Sequence, residues 1–152
     1  MRICLTHKVD LADMNELMLE TLQSGGEVTF TVTGVSMMPL LRDGLDRVVL
    51  VQPQGRLHEH DVAFYRRRDG QFVLHRVMCV CPDSYVMCGD NQVGYETGIA
   101  DTQVLAVMKG YYRDGVYHPC GDTRDRRYCR RMQMRRFFRR WKGRAARVLR
   151  GR

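Results

Sequence analysis

Ser36 and His75 are the two side chains whose setting suggests covalent chemistry. Ser36 stands in Gly34-Val35-Ser36-Met37-Met38-Pro39, directly after a stretch with the alternation of a strand. A serine hydroxyl is inert at neutral pH and becomes a nucleophile only with a base in hydrogen-bond reach. A turn with glycine before and proline after holds the hydroxyl outward. It also leaves adjacent backbone N–H groups for an oxyanion. His75 stands in Val73-Leu74-His75-Arg76-Val77, and its imidazole is largely neutral near pH 7, so it is able to take that proton. Such a base needs an acidic partner to fix its tautomer and stabilise the imidazolium.

The elements that must carry these residues follow from hydrophobic period. Leu11, Met14, Leu17, Met18 and Leu22 have helical spacing, with Asp10 as N-cap and Gly25-Gly26 as stop, which predicts a short helix over 11–22. The period then changes to two. Strands are expected over 27–33, 47–51, 61–65, 72–77, 84–88 and 103–108, with a last hairpin turning at Arg113-Asp114-Gly115. Short strands between Gly, Asp and Pro turns predict a mainly β domain, a coiled sheet or partial barrel. Three segments result: a helical segment 1–26, a β domain 27–122 and a basic tail 123–152.

Four boxes occur in order along the β domain: Ser36-Met37-Met38-Pro39, Asp61-Val62, His75-Arg76-Val77 and Gly89-Asp90-Asn91. With them the chain resembles the signal peptidase I and LexA-like serine peptidases, from about residue 30 to 108. The resemblance implies Ser36 as nucleophile. Most bacterial members place a lysine base where this chain has His75, as the endoplasmic-reticulum and archaeal type do. It further implies an acid just beyond Gly-Asp-Asn, and six residues on from Asp90 stands Glu96, matching in position but not in residue type. Asp90 and Asp101 are the alternatives, and Asp90 has a structural role open to it within its turn. The Ser36 backbone N–H is the implied oxyanion donor. Some relatives add a hydroxyl two residues earlier, a place Gly34 fills here. Met37 and Met38 are packing residues beside the substrate. Two local departures are Leu45, inserted between Gly44 and Asp46, and His60, in place of the glycine usual before Asp61. A peptide or protein substrate is implied, with small residues before the cut and no cofactor.

Charge and cysteine content bound the setting. The net charge is +8, and most of the excess lies after residue 123. There Met134, Phe137, Phe138, Trp141, Ala145, Val148 and Leu149 share a helical face, with Arg135, Arg136, Arg139, Arg140 and Arg144 among the arginines covering the rest. Two uses of that helix stand side by side. One lays it in an anionic membrane interface with its aromatic side inserted. The other docks its apolar face on the β domain. Nucleic acid is a weaker third partner, because basic charge alone is unspecific. The six cysteines lack zinc-type spacing, so no metal site is expected, and reduced thiols are the default. No export signal, membrane span, anchor or DNA-binding domain is read, which predicts a cytoplasmic protein, free or peripheral at the inner membrane face. Two other functions fit the same residues: a non-catalytic binding module docked through its basic helix, and a self-cleaving regulator.

Overall fold

The computed structural model describes the backbone over residues 2–5 and 15–150, and side-chain surroundings over 16–136. The chain divides into two compact units, Met1–Cys120 and Gly121–Arg152.

The first unit is mainly β. Its strands are β1 (Arg2–Leu5), β2 (Glu27–Thr31), β3 (Arg47–Val51), β4 (Val62–Arg66), β5 (Phe72–Val80), β6 (Tyr85–Cys88), β7 (Glu96–Ile99), β8 (Val104–Arg113) and β9 (Val116–Pro119). They form one sheet in the order β1-β2-β3-β8-β4-β5-β6-β7, with β9 on β8, and the sheet does not close on itself. β1 joins β2 in parallel, and the other pairs are antiparallel. Register shifts interrupt β3–β8, β4–β8, β5–β6 and β6–β7. Such irregularities bend a strand and increase its twist.

Two strands escape the periodicity argument. β1 is four residues long, and β7 carries Gly98, so neither has the apolar alternation that marks a strand by itself. Pairing with Glu27–Phe30 and with Tyr85–Met87 recruits them. β8 runs unbroken where the sequence suggests two pieces. The reason lies at Gly110, where a Cβ would come 2.5 Å from the Tyr117 hydroxyl, so the crossing ring needs a residue without a side chain. The β8–β9 turn holds Asp114 and Gly115 at φ 51° and 80°, the positive pair that a tight hairpin requires.

One core cluster joins Leu57, from the loop before β4, to Ala63, Tyr65, Val77, Tyr85, Met87 and Ile99 of β4 to β7. Helix α1 (Asn15–Gln23) contributes buried Met18 and Leu22, whereas Leu17 is exposed; Asp10, Leu11 and Met14 lie outside the described residues.

The second unit is one helix, α2 (Thr123–Arg150). Over its described side chains the shielded stripe is Cys129, Met132 and Arg136, while Met134 is 58% exposed. The sequence assigned Met134 to the apolar face and Arg136 to the exposed basic one. The side chains of Phe137, Phe138, Arg139, Arg140, Trp141 and Arg144 lie outside the described residues. No described helix is long and apolar enough to cross a membrane.

Candidate active site

The loop after β2 is held from below by Asp46, a fully buried carboxylate. Its Oδ2 accepts the Arg42 N–H at 2.9 Å, and its Oδ1 accepts Arg42 Nη2 at 2.8 Å. Arg113 donates to Asp46 Oδ2 at 2.6 Å and to the Leu40 carbonyl at 2.8 Å. Burial pushes this acid upward, but the hydrogen bonds from Arg113 and Arg42 outweigh it and hold the pKa at about 2. Leu45, just before Asp46, is 67% exposed beside the buried carboxylate.

On this platform Ser36 begins a turn in which Met38 N–H donates to Val35 O at 3.2 Å. Gly34 has φ 95°, a conformation that side-chain-bearing residues rarely adopt, and its N–H donates to Asp43 Oδ1 at 2.8 Å. The backbone geometry thus suits a glycine two residues before Ser36. Met37 is buried and lines the cleft beside Ser36, whereas Met38 is exposed.

The Gly-Asp-Asn box latches the serine loop to β5. Asn91 donates its N–H to Ser36 O at 2.8 Å and its side-chain amide to Val35 O at 3.2 Å. Asp90 receives Arg76 through two bonds of 2.9 Å, Nε to Oδ1 and Nη2 to Oδ2, both residues being buried. Arg76 also donates to His60 O at 2.7 Å. His75 precedes Arg76 on β5 and, by the alternation of a strand, projects from the other face. The third and fourth boxes are therefore joined by an ion pair, and the fourth is bonded to the first.

Gly89 measures how closely this brings Ser36 to His75. A Cβ built there would lie 2.7 Å from Ser36 O and 3.0 Å from His75 Nε2. The serine backbone and the imidazole edge thus meet over a residue with no side chain. Both line one cleft of about 270 Å³, whose apolar wall includes Phe30, Val32, Phe64 and Leu74.

The other imidazole edge faces Glu96. His75 Nδ1 lies 3.1 Å from Glu96 Oε1 and 3.3 Å from the Tyr65 hydroxyl. Tyr65 donates its one hydrogen to Glu96 Oε2 at 3.0 Å. The tyrosine oxygen and the carboxylate are then both acceptors toward Nδ1. Nδ1 accordingly carries the ring proton, and Nε2 presents its lone pair toward the Ser36 side. Arg67 grips the same carboxylate, Nε to Oε2 at 2.8 Å and Nη2 to Oε1. These bonds, Arg67 first, lower the Glu96 pKa below its ordinary value. Burial is the main cause that lowers His75, offset in part by Glu96.

Of the three acids weighed from the sequence, Glu96 is the one in contact with His75. Asp90 is engaged by Arg76 in an ion pair. Asp101 is bonded to Tyr85 and lies 3.4 Å from Arg56. The sequence offered no sign of Tyr65 or Arg67. One reads as a plain strand residue and the other as part of the Arg66-Arg67-Arg68 run before a turn. No group of three or more His, Cys, Asp or Glu among the described residues could hold a metal ion. Comparison of the chain with protein-family models, with curated proteins and with solved structures returned no match to any of them.

Proposed function

We propose that this protein is a serine endopeptidase of the signal peptidase/LexA-like kind, with Ser36 as nucleophile, His75 as general base and Glu96 as its acidic partner. The observation that carries the proposal is the two-sided engagement of one imidazole. Nδ1 is within 3.1 Å of Glu96, and Nε2 meets the Ser36 main chain across Gly89. A buried histidine serving only as packing has no use for an acid on one edge and a serine loop over an open cleft on the other. The open, irregular sheet and the interlocking of the four boxes are consistent with the same family.

In this mechanism the Ser36 Oγ attacks the scissile carbonyl as Nε2 takes its proton. The Ser36 N–H stabilises the oxyanion. The imidazolium, held by Glu96, returns the proton to the leaving amine, and water then hydrolyses the acyl-enzyme by the same path. An extended substrate fits the cleft because β5 pairs with β4 from Phe72 to Arg76, while its pairing with β6 starts at Arg76. The first half of β5 thus offers its second edge to a peptide.

The test compares peptide N-termini in native cells carrying wild-type protein, Ser36→Ala or His75→Ala. N-termini lost in both variants identify the substrate and the cleavage rule together. Identical profiles from three stably folded proteins would refute the peptidase and favour a binding module.

A further inference from the structure

Arg67 is a cation built into the middle of this proposed catalytic unit. It lines the cleft, and its planar fork takes both oxygens of Glu96, including the Oε1 that faces His75. The charged and titratable groups around the imidazole are Tyr65 of β4, Arg67 just beyond it, Glu96 of β7, and Asp90 after β6, the last paired with Arg76. Among the described residues, Arg67 is thus the one cation whose ion pair is made with the carboxylate that His75 also touches.

We propose that Arg67 is a positioning residue that fixes Glu96 against His75 and, by sharing its charge, keeps the imidazole neutral into the acidic range. A carboxylate facing histidine alone lends its full charge to the imidazolium and raises its proton affinity. Here the guanidinium competes for that charge and repels a second cation beside it. The result is a weaker base that stays unprotonated at lower pH. The fork also stops the carboxylate from rotating, a service that lysine, with a single point charge, cannot supply. The consequence for catalysis rests on the peptidase proposal; the effect on His75 does not.

The experiment follows the His75 ring resonances of the full chain by NMR through a pH titration. It is run on wild type, Arg67→Gln and Arg67→Lys, with the pH profile of Ser36-dependent peptide cleavage recorded in parallel. Arg67→Gln should raise the His75 midpoint by about one unit, with the acid limb of kcat/KM moving in step. Arg67→Lys keeps the charge, so the midpoint stays close to wild type while kcat falls about tenfold as Glu96 loosens. An unchanged or lowered midpoint in folded Arg67→Gln would overturn the assignment. Should that variant not fold, Arg67→Lys decides, and a midpoint displaced by about a unit would overturn it equally. A shifted midpoint together with no Ser36-dependent cleavage in wild type sinks the peptidase and leaves the hold of Arg67 on His75 standing.

Discussion

His75 Nδ1 lies 3.1 Å from Glu96 Oε1, and His75 is almost wholly buried. The pair sets two opposing tendencies: burial disfavours the imidazolium, while the carboxylate favours it. Burial is the larger, so the folded pKa lies below the ordinary 6.5.

Under the proposed function, His75 is then still neutral at pH values where a free histidine is half protonated. The acid limb of kcat/KM should therefore have its midpoint below pH 6.5 in wild type. A midpoint at or above that value, measured with a peptide substrate, would count against burial as the controlling factor. For stability the sign is the same. The unfolded chain binds the proton first, so stability is full above the unfolded pKa and falls as pH drops through 6.5 toward the folded value. Asp46 adds a second, lower window. Its pKa of about 2, against 3.8 unfolded, contributes about 2 kcal/mol above pH 3.8, lost as pH falls toward 2. Urea melts across pH 2–8 should show both steps, and Asp46→Asn should remove the lower one.

Gly89→Ala tests the close approach of Ser36 to His75. The new methyl would meet Ser36 O at 2.7 Å and His75 Nε2 at 3.0 Å, so one of them must move. The expected result is a loss of about 100-fold in kcat, from displacement on the order of an ångström. Full activity in this variant would mean that the two residues do not act together.

Breaking the Arg76–Asp90 pair should cost about 3–5 kcal/mol, since either single substitution strands a charge inside the protein. Asp90→Leu and Arg76→Met are each expected to lower the denaturation midpoint sharply. The double variant Arg76→Met/Asp90→Leu should recover much of the loss. Additive losses in that double variant would argue that the two residues stabilise the fold separately.

His60 has φ 80°. A side chain in that region costs about 1–2 kcal/mol, which is the physical reason a glycine suits this place. His60→Gly should raise the melting temperature relative to His60→Ala, which keeps the strain and loses the ring. Equal melting temperatures for the two would show that the strain is relieved elsewhere.

Chain order and residue type determined a good deal by themselves. The alternation of residues 27–33 located β2, the β-branched run of 47–51 located β3, and the Asp69-Gly70 turn signal marked the start of β5. Ser36 and His75 could be named as candidates from the boxes around them, since those are local patterns, whereas Glu96 was one of three candidate acids, reached by its place after Gly89-Asp90-Asn91. What the chain could not show is which groups meet. Tyr65 and Arg67 are 31 and 29 positions from Glu96, and Asn91 is 56 from Val35. These contacts exist only once β4, β5, β6 and β7 have paired in one register, and nothing in the type of a tyrosine or arginine announces its partner. The same holds for Asp90, one of three candidate acids by sequence and the partner of Arg76 in the fold. On α2, Arg136 is buried and Met134 exposed, against their ordinary preferences, so the hydropathy of one side chain does not fix its burial.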